Sequence, residues 1–296
     1  MSRAVNSEAK RRLVLTLGCP DRPGIIAEIT RFIAEDGSSI HEAGYHSDED
    51  TSWFFTRQAV LPADPECTPE VFAERFAPIA ETLGPDVEWA VHDTTERKRV
   101  VLLVSKEPHC LHDLLGRTAA GDFPATIEAV IGNHEDLRGV AEAHGVKFHH
   151  VPFPANPDER GPAFEQVRDL ADSYLPDAIV LARFMQVLPE DLCRHWAGRA
   201  INIHHSFLPS FVGARPYHQA YARGVKLIGA TCHYVTAELD AGPIIEQDVS
   251  RIDHSFTVRD IVRQGRDAEK QVLARGLRWH LEDRVLVHGR KTVVFT

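Results

Sequence analysis

The sequence predicts a two-domain α/β protein, in which an N-terminal ferredoxin-like βαββαβ domain precedes a Rossmann-like, mostly parallel, doubly wound domain. Three observations carry this reading. The chain has 296 residues, about twice the commonest size of a single domain. Up to residue 92, short amphipathic segments follow one another in the order βαββαβ. From Val100 onward, near-continuous apolar runs alternate with helical stretches, the pattern of strands covered on both faces by helices.

In the first domain, RLVLTLG alternates Leu13, Leu15 and Leu17 and reads as a half-buried strand ending in the turn CPDRPG. Ile25, Ile26, Ile29, Phe32 and Ile33 then repeat at helical spacing, with Pro23 and Gly24 at the helix mouth and Gly37 as a stop. Strands follow at 39–46 and 52–60, turned by DEDT. Thr68 and Pro69 make a good N-cap and first-turn pair for a helix reaching about Leu83. A strand at 86–91 closes the unit. The polar run Asp93-Thr-Thr-Glu-Arg-Lys-Arg99 reads as a linker, giving domains at 1–92 and 100–296 with 93–99 between them.

The second domain offers strands at 100–104, 127–132, 147–151, 178–182 and 199–203, with helical stretches at 111–119, 136–144, 163–174 and 190–195. Two further strands, KLIGATCHYV and PIIEQDV, come before a last helix and the hairpin VLVHGRKTVVF. A doubly wound sheet places its ligand at the carboxyl ends of the strands, where the strand order reverses. After the first strand of this domain, a dinucleotide or a phosphorylated acceptor would call for a Gly-rich loop. The sequence reads SKEPHCLHDLL there, from Ser105 to Leu115, which argues against both ligands.

Composition narrows the function further. No run reaches the ~18 apolar residues of a membrane span, and the start, MSRAVNSEAKRR, lacks the apolar core of a signal peptide, so a soluble, cytoplasmic protein with no membrane partner is expected. Five cysteines without a CxxC pair fit reduced thiols. Residues 1–92 carry 8 Lys and Arg against 16 Asp and Glu, and the remainder 25 against 27. A nucleic-acid partner, which needs an excess of cations to displace counterions, is therefore not expected. Among 17 histidines, the pairs His149-His150 and His204-His205 raise the question of metal. Neighbours on a strand face opposite ways and no HExxH or Cys/His spacing completes a ligand set, so no metal is expected.

The chemistry-bearing segment is NIHHSFLPSFVGARPYHQA, Asn202 to Ala220. Asn202 and His204 hold alternate positions at a strand's carboxyl end, so both side chains point into the crevice. Downstream, Asp240 lies in a loop between two strands, followed by Gly242 and Pro243. A carboxamide to polarise a carbonyl, an imidazole to handle a proton and a carboxylate to act as base together suit acyl chemistry. Plainer readings stand beside this one: Asp240 as a turn residue, His205 as a packing residue, His218 and His233 as structural histidines, Met185 and Leu188 as core.

On these residues, 98–296 resembles the folate-dependent formyltransferase family, whose signature is Asn-x-His followed by Asp in a T-x-H-x-V…L-D-x-G-P setting. Asn202, Ile203, His204, Ser206, Leu208 and Pro209 match the first block, and Thr231, His233, Val235, Leu239, Asp240, Gly242 and Pro243 the second. His205, where transferases commonly have Pro, together with GARPYHQA and RGVKLIGAT, is similar to the hydrolytic branch. The CPDRPG turn resembles the ACT module, a small regulatory domain with D-x-P-G between its first strand and first helix.

The resemblance implies hydrolysis of 10-formyltetrahydrofolate to tetrahydrofolate and formate in one-carbon and purine metabolism, with water as second substrate and no cofactor. It gives Asn202 the formyl oxygen, His204 the oxyanion or the leaving nitrogen's proton, and Asp240 the attacking water. ARFMQVLP, with Met185, Gln186 and Leu188, would cup the pteridine, although many relatives have Arg where Gln186 stands. His205, His233, Thr236 and Leu239 would line the same substrate site. Asp21, Pro23 and Gly24 would hold an amino-acid effector, methionine or glycine, and a homo-oligomer is expected because many such modules pair subunits. Two rival readings remain: formyl transfer to an amine, and a non-catalytic folate- or amino-acid-responsive binding protein.

Overall fold

The computed structural model describes residues 11–208 and 216–296. Residues 1–10, Pro209 of the first motif block and Gly213–Arg215 of the GARPYHQA segment lie outside them. By internal contacts the chain forms two compact units, one of residues 1–96, 282–286 and 293–296, the other of 97–281 and 287–292.

In the first unit, strands β1 (Leu13–Pro20), β2 (Ser39–Asp48), β3 (Trp53–Leu61) and β4 (Glu88–Asp93) form an antiparallel sheet in the order β2-β3-β1-β4. Helices α1 (Ile25–Glu35) and α2 (Pro69–Leu83) cover one face. Leu13, Leu15 and Leu17 from β1 meet Ile25, Ile29, Phe32, Phe72 and Phe76 there, the period-two and helical stripes interlocking in one core. Thr68 caps α2 by accepting the Val71 N–H at 3.4 Å.

The opposite face of this sheet, and the strand bounds beside the linker, correct the sequence reading. Arg57, buried, donates from Nε to the Asp283 carbonyl at 3.1 Å and from Nη2 to the Glu282 carbonyl at 3.0 Å. The Phe295 ring seats where a Cβ on Gly44 would be, 2.4 Å from its Cδ1. Residues 282–286 and 293–296, assigned above to the second domain, therefore belong with the first unit. β4 runs through Asp93 and the next strand begins at Lys98, so only residues 94–97 of the expected linker lie outside strands.

The second unit is a seven-stranded sheet in the order β11-β10-β9-β8-β5-β6-β7. Strands β5 (Lys98–Val104), β6 (Ala125–Gly132), β7 (Lys147–His150), β8 (Ala178–Leu181) and β9 (Ala200–His204) run parallel. β10 (Leu227–Tyr234) and β11 (Ile244–Arg251) are antiparallel. The chain builds outward from β5, first to β6 and β7, then back across to β8 and β9, so the strand order reverses between β5 and β8. Helices α3 (His109–Ala120), α4 (Arg138–Ala143), α5 (Gly161–Asp172), α6 (Glu190–His195), α7 (Pro216–Arg223) and the 24-residue α8 (Val258–Leu281) pack around it. A short hairpin of β12 (Val285–His288) and β13 (Lys291–Val294) ends the chain. Among the described residues, no helix is long and apolar enough to cross a membrane. All five cysteines are free and buried.

Candidate active site

A cavity of about 1040 Å³ opens at the carboxyl ends of β5, β8 and β9 and is closed from one side by the β10–β11 loop. Asn202 and His204, two apart on β9, both line it, as the period of a strand requires. β10 pairs antiparallel with β9 so that His233 lies opposite Asn202. The His233 Nδ1–H donates to the Tyr234 carbonyl at 2.8 Å, which leaves Nε2 as the acceptor of an N–H from Asn202 Nδ2 at 3.2 Å. This bond turns the carboxamide's nitrogen toward His233 and keeps a second N–H of Asn202 unspent. Burial pushes His233 below its ordinary pKa and so favours the neutral ring the arrangement needs.

Asp240 sits in the loop after β10 with φ of 54°, a left-handed conformation that Asp tolerates better than most residues. Its Oδ2 lies 3.2 Å from His204 Nδ1, and its Oδ1 3.8 Å from His233 Nε2. The hydrogen bond from His204 holds the Asp240 carboxyl below the usual carboxylate range despite partial burial, so it is ionised at neutral pH. His204 thus presents Nδ1 to Asp240 and retains Nε2 for other work. A polar amide, an oriented imidazole and a charged carboxylate meet at one wall of the cavity.

Met185, Gln186, Leu188, His205, His233, Thr236 and Leu239 all line the same cavity. Met185 and Leu239 are 56% and 65% exposed at its rim, where they offer apolar surface to a ligand. Leu188 is buried in the core as well as touching the cavity. The Met185 N–H donates to Ser105 Oγ at 3.0 Å, tying this loop to the end of β5. Gln186 Oε1 is shut off from solvent without a hydrogen-bond partner among the described residues. His218, exposed, lies at the same cavity, while His149 bonds Tyr174 at the end of β7, away from it. At the CPDRPG turn, Asp21, Pro23 and Gly24 are exposed, and Gly24, at φ of 98°, begins α1 without a side-chain cap. Arg22 between them pairs with Glu28 through two contacts of 3.0 Å.

His204 and His205 do not face opposite ways as strand neighbours would. β9 ends at His204, the chain bends, and the two ring centroids lie 5.2 Å apart. His205 therefore faces a second group, which the sequence reading did not single out: Arg183, His109, Tyr217 and Glu269. Glu269, 1% exposed on α8, accepts from His109 Nε2 at 2.8 Å and from the Tyr217 hydroxyl at 2.5 Å, with Arg183 Nε 3.4 Å away. Burial raises its carboxyl, but the bond from His109 and the charge of Arg183 outweigh it and hold the group below the usual range. One signal for Glu269 was available, a lone acid on the buried stripe Ile261, Gly265, Ala268, Val272 of an amphipathic helix. His109, Cys110 and Glu269 place possible metal-donor atoms within 4.8 Å of one another. Glu269 is already satisfied by donors and a guanidinium, and burial holds the Cys110 thiol well above its ordinary pKa, so this set does not suit a cation.

With that geometry in place, likenesses to known proteins are specific. The formyl transferase family matches residues 98–277, the second unit nearly entire. A Bacillus subtilis protein named formyltetrahydrofolate deformylase is 45% identical over 290 residues, which are 98% of this chain and 95% of its own. The crystal structure of a formyltetrahydrofolate deformylase from Pseudomonas syringae pv. tomato has a TM-score of 0.92 at 52% identity, covering 98% of this chain and 96% of that one. A glycinamide ribonucleotide transformylase from Symbiobacterium toebii has a TM-score of 0.64 at 29% identity, and covers 68% of this chain and 95% of its own. The deformylases thus share both units, whereas the transformylase leaves about a third of this chain unmatched. The chain belongs to the formyl transferase family and, within it, to the formyltetrahydrofolate deformylases.

Proposed function

We propose that this protein hydrolyses 10-formyltetrahydrofolate to tetrahydrofolate and formate through Asn202, His204 and Asp240. The observation that carries the reading is the 3.2 Å contact of His204 with Asp240 beside an Asn202 whose amide is oriented by His233. Water attacks the formyl carbon, its oxygen–carbon bond forming while negative charge gathers on the formyl oxygen. The unspent N–H of Asn202 stabilises that oxygen, a contribution of about 10² to 10³ in rate for one such donor. Asp240, ionised, holds the water and takes its proton, and His204 delivers a proton to N10 as the carbon–N10 bond breaks. Asp240 gives up the proton it took and His204 regains the one it delivered, both by exchange with solvent, and the formic acid loses its remaining proton to solvent, so that one proton is released overall and Asp240 is again a carboxylate. No metal or cofactor enters these steps.

The folate occupies the side of the cavity walled by Met185, Gln186, Leu188, Thr236 and Leu239. Exposed Met185 and Leu239 supply apolar surface for its rings. The test omits any amine acceptor: purified protein is given 10-formyltetrahydrofolate, and formate and tetrahydrofolate are followed together. Stoichiometric formate, reduced about 10² to 10³-fold by Asn202→Ala, is the expected result. Folate binding without formate would point to transfer onto an amine instead, or to a sensor.

We further propose that an amino-acid effector binds at Asp21, Pro23 and Gly24. The uncapped start of α1 leaves backbone N–H groups and a partial positive charge suited to a free carboxylate. Methionine or glycine is expected to bind by calorimetry and to change turnover in opposite directions. No binding and no change at saturating concentration would remove this part of the reading.

A further inference from the structure

The structure assigns Arg183 a task the steps above do not use: we propose that its guanidinium, at the start of the folate loop but paired with Glu269, receives the formate product in a small-carboxylate subsite on the Glu269 side of the cavity. The inference rests on the hydrolytic reading. Formate is released as an anion beside the ionised carboxylate of Asp240, so the two repel, and a cation within the cavity would draw the product off. Three arginines line the cavity. Arg266 is committed to Glu107 at 2.7 Å and Arg290 to Glu238 at 2.9 Å. Arg183 differs: its buried Nε makes no hydrogen bond and only faces Glu269 at 3.4 Å, and among the described residues no acceptor holds its terminal nitrogens. A planar fork with both ends open matches the two oxygens of a carboxylate.

Three further features fit. Arg183 adopts φ of 66°, left-handed backbone that a glycine would hold without strain, directly after β8 where the strand order reverses. Such conformations persist where the surrounding structure over-determines them. Glu269 anchors the guanidinium from behind, bound in turn to His109 and Tyr217, so the fork is fixed before the anion arrives. His205 stands between this group and the chemistry, its ring 5.2 Å from that of His204 and 6.2 Å from that of Tyr217. A neutral imidazole there can donate to a departing carboxylate without trapping it as a second cation would.

The test uses the full-length protein with saturating tetrahydrofolate and follows the line broadening of ¹³C-formate, with nitrate and acetate as competitors. Saturable formate binding is expected, displaced by nitrate, which shares its planar shape, and at least tenfold less well by acetate. Arg183→Lys, which keeps the charge facing Glu269 but not the fork, should weaken binding at least tenfold, and Arg183→Met should abolish it. Absence of saturable binding to the native protein overturns the proposal, as does a Lys variant that binds formate like the native protein. If the Met variant does not fold, the native and Lys measurements decide. The functional reading fails separately, when native protein releases no formate from 10-formyltetrahydrofolate.

Discussion

His205 is next to His204 in the chain but faces the Arg183 and Glu269 group. Burial, and then the charge of Arg183, push its pKa from 6.5 down to about 4. Because the folded value is depressed, the unfolded chain binds a proton that the folded chain refuses at any pH between those two values. Stability therefore falls as pH drops from about 6.5 toward 4, and the loss due to His205 between pH 7 and pH 5 is about 2 kcal/mol. Asp240, also depressed, acts in another window. Its stabilisation is complete above the ordinary carboxylate value of 3.8 and disappears only as pH falls through its still lower folded value. His233 is shifted in the same direction as His205, so a comparison isolates one from the other. Urea unfolding of native protein and His205→Gln at pH 7 and pH 5 should show the native chain losing about 2 kcal/mol more than the variant. Equal losses would mean that His205 is solvated and protonates freely.

At the scale of elements, the β10–β11 loop carries Asp240 into place, and its closure depends on one glycine. A Cβ on Gly242 would lie 1.8 Å from the Tyr234 carbonyl oxygen, where the Tyr234 N–H meets the Pro243 carbonyl at 2.9 Å. Gly242→Ala must therefore part the two ends of the loop and move Asp240 off His204, lowering kcat at least tenfold with much less effect on folate affinity. Gly139→Ala is the control, because its site on α4 has open space and alanine favours a helix by up to about 1 kcal/mol. Unchanged kcat in Gly242→Ala would separate the loop's geometry from catalysis. The order of strands and helices and the juxtaposition of Asn202 with His204 were legible because period-two and helical stripes are local properties of the chain. The Glu269 cluster was not, since it joins α3, β8, α7 and α8 across 160 residues between His109 and Glu269. Nor could the sequence show that β9 stops at His204, which is what turns His205 toward Arg183.

Across the whole molecule, the chain passes between its two units four times, at 96–97, 281–282, 286–287 and 292–293. A polar linker at 93–99 suggested that one cut would separate two complete domains. The hairpin VLVHGRKTVVF has no feature that says which sheet its ends will serve, so this consequence was invisible. In a fragment of residues 1–96, Arg57 loses both carbonyl acceptors at Glu282 and Asp283, and Glu42 loses its 2.9 Å contact with Arg284. Arg57 keeps its 3.3 Å bond to Glu42, but Nε and Nη2 lose their acceptors, a loss of about 1–3 kcal/mol on top of the apolar cover removed with Phe295. The 1–96 fragment should accordingly be marginal alone and gain stability on addition of a peptide of residues 282–296, by mass action. Arg57→Gln in the fragment should remove most of that gain, because the amide cannot reach two carbonyls as the guanidinium does. Thermal unfolding of both fragments across a peptide titration reads this directly. A native-sequence fragment whose midpoint ignores the peptide would mean that the first unit is complete at residue 96, and that the return of the chain contributes nothing to its stability.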